Sequence, residues 1–152
     1  SLSNFRTPKV SAAASALAKR QEIRDELTRM QREFASNSSV KGVVLDGRDI
    51  GTVVFPDAVC KLFITADLDI RAKRRFHEII HGDPSATLQD IKRLLEARDN
   101  QDQSREVAPL VCDERYTIID TSNDTVDESL SKAIQVVRNV CAAAGIKLRG
   151  KN

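Results

Sequence analysis

Apolar residues recur along this chain in two rhythms. Val10, Ala13, Ala14 and Leu17, then Ile23, Leu27, Met30 and Phe34, keep helical spacing and predict helix from Thr7-Pro8 to about Ala35. Thr7 suits the cap, and Pro8 at the first helical position loses no needed hydrogen bond. Lys19-Arg20-Gln21 is polar all round, so a break is expected there, and Ser36 to Ser39 reads as a loop. Three continuous apolar runs follow: Gly42-Val43-Val44-Leu45, Lys61 to Thr65, and Tyr116 to Asp120. Unbroken rather than alternating runs predict strands covered on both faces. Between and after them lie helical patterns: Asp67 to Gly82 through Ala72, Phe76, Ile79 and Ile80; a block opened by Thr87 and Asp90 with the stripe Leu88, Ile91, Leu94 and Leu95; and a last helix with Val126, Leu130, Ile134, Val137 and Cys141. Ala108-Pro109-Leu110 is expected to stop the second block. Thr125 with Glu128 forms a capping-box pattern, Thr87 with Asp90 a shorter version of it, and Gly145 is expected to end the last helix. Strands alternating with helices predict an α/β fold with a parallel sheet.

Composition narrows the classes. At 152 residues the chain is about one domain, with 41% hydrophobic and 30% charged residues, as globular proteins have. Aromatic residues are only 4%, without Trp, so the core must be aliphatic and few rings are left for stacking bases. A net charge of +2 is too small to argue for nucleic acid or an anionic membrane. No apolar run nears the ~18 residues of a membrane helix. Cys60, Cys112 and Cys141, an odd set without CxxC, read as reduced, mostly buried thiols of a cytosolic protein.

Three clusters could carry chemistry. Asp46-Gly47-Arg48-Asp49-Ile50-Gly51-Thr52 follows the first apolar run, where a parallel sheet opens its ligand crevice. Glycines permit close backbone approach, Arg48 suits a phosphate or carboxylate, and Asp46 or Asp49 suits a base amino group or a metal. The bland reading is a structural Arg–Asp pair in a turn; the spacing favours function. Gly42 to Asp49 superficially approaches the phosphate-loop pattern, but its middle is strand-forming and Arg-Asp replaces Lys and the hydroxyl residue. No other segment of these 152 residues fits that pattern. Arg98, Asp102 and Arg105 share a helical stripe that suits ribose and phosphate, although spacing alone favours a solvated, salt-bridged face. The basic run Arg71-Ala72-Lys73-Arg74-Arg75 is by default a solvated helix face and, more sharply, a phosphate clamp. His77 and His81 lack an HExxH frame and read as surface histidines, and Ser15 as a packing residue.

Together these blocks resemble the bacterial cytidylate kinase family. The match is most specific at Asp46 to Ala58, with Ser11 to Ser15 and Arg98 to Leu110 matching in the same order. The resemblance implies a parallel-sheet phosphate-loop NTPase of the nucleoside monophosphate kinase type, without its first strand and phosphate loop, and with a helical lid. It implies one partial domain over 1–152: a CMP-binding helical segment (1–35), core strands (40–66), a lid region (67–107), and a core strand with C-terminal helix (108–152). The implied activity is transfer of the ATP γ-phosphoryl group to CMP or dCMP with Mg²⁺. Cytosine contacts fall on Ser15, Arg24 and Asp49, ribose contacts on Arg98 and Asp102, and acceptor-phosphate arginines on Arg48 and Arg105. Arg48, Arg98 and Arg105 form the implied catalytic set, and Arg74 and Arg75 the donor-side lid cations. Positioning and charge neutralisation are what such a transfer requires.

Gln101 stands where the family often has another lid arginine, leaving fewer cations for the donor phosphates. The chain begins Ser1-Leu2-Ser3 and lacks the phosphate-loop segment, so the 152 residues alone are expected to be nearly inert as a kinase. The alternative is a phosphate-loop-less paralogue that binds nucleotide without catalysis; an RNA-binding domain ranks third. The further expectations are a cytoplasmic monomer that engages neither nucleic acid nor membrane.

Overall fold

The computed structural model describes residues 10, 13–14, 17, 20–37, 42–104 and 110–148. The chain divides into two compact units, Ser1–Pro56 and Asp57–Asn152.

In the first unit, Val10, Ala13, Ala14 and Leu17 have helical backbone, and the expected break falls on Arg20, whose φ and ψ of −85° and 122° are extended. Helix α1 (Gln21–Ala35) then runs to a turn at Ser36. The Thr7-Pro8 start lies outside the described residues. Residues 50–54 form a wide π-type turn, Ile50–Val54, in which the Asp49 carbonyl accepts from the amides of Val53 (2.8 Å) and Val54 (3.2 Å), and the Ile50 carbonyl from Phe55 (2.7 Å). Such turns concentrate at functional sites. Val54 is the buried anchor of this turn.

The expected strand at 42–45 does not form; the segment is irregular and Val44 is fully exposed. A strand exists through its ladder, and among the described residues of this unit none supplies a partner strand. The apolar run records a preference that pairing does not realise.

The second unit is the α/β part. Strands β1 (Leu62–Thr65) and β2 (Thr117–Asp120) pair in parallel, with Leu62 opposite Thr117 and Thr65 opposite Asp120. Between them come α2 (Leu68–Ile79) and α3 (Leu88–Gln103), and α4 (Val126–Ala143) follows β2. A parallel pair needs such a crossover, since a tight hairpin cannot return the chain in the same direction. The core is small and aliphatic, as the scarcity of aromatics predicted: Ala66, Ala72, Ile91, Ile119 and Cys141 are buried. Phe63 and Tyr116 meet edge to face, ring centroids 6.4 Å apart.

The strands are not covered on both faces. Ile64 and Ile118 are mostly exposed, so among the described residues no element covers that part of the sheet. The predicted stripes are likewise partly open. On α3 the buried face runs through Ile91, Leu95 and Asp102, not Leu94. On α4 Cys141 is buried while Val126 and Leu130 are exposed. Among the described residues no helix is long and apolar enough to cross a membrane.

The caps follow side-chain length. Thr125 and Glu128 close a full capping box, Glu128 accepting from the Thr125 amide at 2.8 Å. Asp90 is one methylene shorter; it takes the Thr87 hydroxyl at 2.6 Å, while Thr87 Oγ1 accepts the Asp90 amide at 3.1 Å. Gly145 ends α4 with φ of +71°, the left-handed conformation that favours glycine. Helix α3 ends at Gln103, and the predicted stop at Ala108-Pro109 lies outside the described residues. Cys60 is half-buried, and burial together with nearby Cys141 pushes its thiol up. Cys112, expected to be buried, is exposed because it lies in the irregular approach to β2.

That approach contains a local turn in which Asp113 Oδ1 accepts the Arg115 amide (2.9 Å) and Oδ2 the Arg115 guanidinium (2.6 Å). These bonds, the Arg115 side chain first, hold the Asp113 carboxyl down at about 2. A carboxyl depressed in the folded state adds stability above its unfolded pKa of about 3.9 and loses it as pH falls through the folded value. The turn is therefore expected to loosen between about pH 4 and pH 2. Carboxyl NMR should show the low Asp113 midpoint, and Arg115→Gln should return it toward the ordinary range.

Candidate active site

The first unit holds Arg24, Arg48 and Asp49. Arg24 lies one turn into α1, where the helix carries its side chain to the 46–49 loop. Its Nη2 donates to Asp49 Oδ2 at 2.6 Å, with the two side chains only 12% and 26% exposed. At that exposure the pair is partly shielded from water, unlike the surface pairs of the same helix. Arg29, for example, bonds Glu26 and Glu33 on exposed helix surface. Arg48, next in the loop, is exposed.

Gly47 has a steric reason to be glycine. A Cβ there would come within 2.8 Å of Ile50 Cγ1, so Ile50 closes over the loop only because position 47 has no side chain. Unusual backbone is not the reason: the positive φ recorded among the described glycines is at Gly145. A concavity of about 550 Å³ in this unit is lined by Asp25, Thr28, Arg29, Arg32, Glu33, Ser36 and Val53, and includes none of the predicted site residues.

The second unit holds Arg98, Asp102, Arg74 and Arg75. Spacing alone suggests a solvated stripe for Arg98 and Asp102; Arg98 is exposed accordingly, and Asp102 is not. Asp102 is 1% exposed, eleven residues and three turns from buried Ile91, so it shares the inward face of α3. Its main-chain carbonyl also accepts the Leu110 amide at 2.8 Å. Arg98 is 57% exposed, and its Nε stands 3.9 Å from Asp102 Oδ2, beyond hydrogen-bond length. Water thus reaches the guanidinium but not the carboxylate. A buried carboxylate is expensive unless partners compensate it, which marks Asp102 as more than surface filling.

Arg71 joins the two helices of the 68–103 hairpin through Asp99 (2.7 Å), and Lys92 does so through Asp69 (2.5 Å). Arg74 donates to Thr121 Oγ1 (3.1 Å), to the Thr121 carbonyl (2.6 Å) and to the Asp124 carbonyl (3.2 Å), just past the carboxyl end of β2. Thr121 in turn bonds the Thr65 carbonyl through its amide (2.9 Å) and hydroxyl (3.0 Å). Arg75 pairs with Glu78 at 2.7 Å on the helix surface. His77 and His81 are exposed, as expected. Ser15 and Arg105 lie outside the described residues. Among the described residues no group of three or more His, Cys, Asp or Glu is placed to hold a metal ion. Sequence reasoning missed Arg32, whose two bonds to the 50–54 turn carry no local signal.

Parallel strands with basic and hydroxyl side chains gathered past their carboxyl ends place the chain among the parallel α/β proteins, whose ligand sites open at that end. Comparison with known proteins is more specific. The family model for cytidylate kinase matches residues 2–139. The cytidylate kinase of Cupriavidus pinatubonensis is 43% identical over 131 residues, covering 86% of this chain and 58% of that protein. Those of Thermosipho melanesiensis and Acidiphilium cryptum are 41% and 45% identical, over 90% and 91% of this chain and 62% and 64% of theirs. The chain belongs to the cytidylate kinase family. It spans about 60% of the length of these relatives.

Proposed function

We propose that the chain carries the acceptor side and the helical lid of an enzyme that transfers the ATP γ-phosphoryl group to CMP or dCMP. The observation that carries this reading is the shielded Arg24–Asp49 pair beside exposed Arg48. Cytosine offers an exocyclic amino donor next to a ring-nitrogen acceptor. A carboxylate held by a guanidinium presents the reverse pattern, Asp49 accepting and Arg24 donating. Arg48 suits the acceptor phosphate, and Arg98 with Asp102 the ribose hydroxyls. Ser15 and Arg105 are assigned by resemblance to the base and the phosphate. Arg74 and Arg75 are assigned to the donor phosphates, and closure of the 68–103 hairpin would bring such cations to them and exclude water. ATP is the expected second substrate. Mg²⁺ would be held largely through phosphate oxygens, as this ion prefers, and would neutralise developing charge. A cytoplasmic monomer is the expected setting.

The second reading, nucleotide binding without catalysis, is served by the same acceptor-side residues, the shielded Arg24–Asp49 pair among them. Calorimetric titration with CMP and a coupled assay with ATP and CMP test both. The 152-residue chain is expected to bind CMP and to turn over far below normal kinase rates. Absence of CMP binding would overturn the acceptor assignment, and normal turnover would overturn the expectation of inertness.

A further inference from the structure

Helix α1 carries two arginines that leave its own surface to grip the same short segment. Arg24 and Arg32 are eight residues apart, about 12 Å along the helix. Arg24 takes the start of that segment through the Asp49 carboxylate. Arg32 takes its end, Nε donating to the Val54 carbonyl (2.9 Å) and Nη2 to the Val53 carbonyl (3.0 Å). The last carbonyls of a helical turn have no partner within it, and a cation there satisfies them and opposes their partial negative charge. The planar fork of Arg reaches two successive carbonyls at once, which a Lys ammonium on a flexible stem does not reproduce.

Val53 and Val54, together with Thr52, also hold Asp49 from the backbone side. The amides of Val53 and Val54 both donate to the Asp49 carbonyl, at 2.8 and 3.2 Å. The linkage therefore runs from the Arg32 guanidinium to the Val53 and Val54 peptides, from those peptides to the Asp49 main chain, and on to the Asp49 side chain. Buried Val54 anchors the far end of the turn.

We infer that Arg32 is a positioning residue for base recognition: it fixes the 50–54 turn and, through it, the direction of the Asp49 carboxylate. The inference rests on the acceptor-site reading above. It separates two roles along α1, Arg24 touching the base-reading carboxylate directly and Arg32 setting the frame on which that carboxylate stands.

The test has one arm without nucleotide and one with it. In the first, amide hydrogen exchange is compared in wild type and Arg32→Ala. Exchange at Val53, Val54 and Phe55 should accelerate about tenfold or more while the amides of α4 keep their protection, the local-opening signature. Unchanged protection at 53–55 would overturn the inference. In the second, CMP and UMP are titrated into wild type, Arg32→Ala, Asp49→Asn and the double variant. Arg32→Ala should reduce the preference for CMP over UMP by about tenfold, a change that partial unfolding would not produce because it weakens both ligands equally. In the Asp49→Asn background Arg32→Ala should cost no further selectivity. An unchanged CMP/UMP ratio in Arg32→Ala, or a full additional loss in the double variant, would overturn the inference. A wild type that binds no CMP would overturn the acceptor reading instead, and the exchange arm distinguishes that failure because it contains no nucleotide.

Discussion

Asp49→Asn is expected to weaken CMP binding by about 10- to 100-fold and to bring CMP and UMP close to parity. The carboxylate only accepts hydrogen bonds, so it matches the amino group of cytosine and opposes the carbonyl of uracil. An Asn amide of nearly the same shape can turn its NH₂ toward that carbonyl, so the discrimination disappears while the volume stays. The substitution also removes a charge partner from Arg24, whose side chain is only 12% exposed. The folded state should therefore lose about 1–2 kcal/mol, measured by urea unfolding. The two readouts separate the roles of the residue. Lowered stability with an unchanged CMP/UMP ratio would make the pair purely structural, whereas a collapsed ratio with modest destabilisation is the result expected of a base-reading group.

Arg48→Ala is expected to act on the phosphate and leave the base alone. A charge-assisted, two-pronged bond to a phosphate contributes about 1.5–3 kcal/mol, which corresponds to about 10- to 150-fold in affinity. Wild type should prefer CMP to cytidine strongly, and Arg48→Ala should remove most of that preference while cytidine affinity changes little. Arg48 is exposed, so its removal should leave stability within about 0.5 kcal/mol. Parallel titrations with CMP and cytidine measure the ratio directly. Equal losses for both ligands would sink the phosphate assignment. With Asp49→Asn the two substitutions form a crossed pair, one erasing selection for the base and the other selection for the phosphate, at adjacent positions of one loop.

Much of the second unit was legible from local rules. The helices at 68–79 and 126–143 lie within about three residues of what the periodicity, Thr125 and Gly145 predict, and the helix at 88–103 starts where Thr87 predicts but ends before the expected stop at Ala108-Pro109. Both parallel strands fall inside the apolar runs at 61–65 and 116–120. The extended break at Arg20 was visible as three consecutive polar residues. These features depend on neighbours within about four positions, where side-chain length, capping and spacing dominate.

The misses share a cause. Gly42 to Leu45 has strand composition, yet a strand needs a partner that no local pattern supplies. Leu94 and Asp102 exchange their expected places, the leucine outward and the carboxylate inward, because which face of α3 turns inward is set by packing and not by the hydropathy of one residue.

Residue identity and spacing by themselves determined the α/β class, the main helices and strands of the second unit, and the candidates Arg48 and Asp49, while the family resemblance singled out Arg24 and turned Arg98 and Asp102 from a solvated stripe into candidates. Tertiary structure alone decided that Arg24 meets Asp49 across 25 positions, that Arg32 reaches the Val53 and Val54 carbonyls across 21 and 22, and that Asp102 is sealed from water. Those contacts depend on how distant backbone segments are brought together, and the energy that selects them comes from desolvation and from hydrogen bonds made only after that approach.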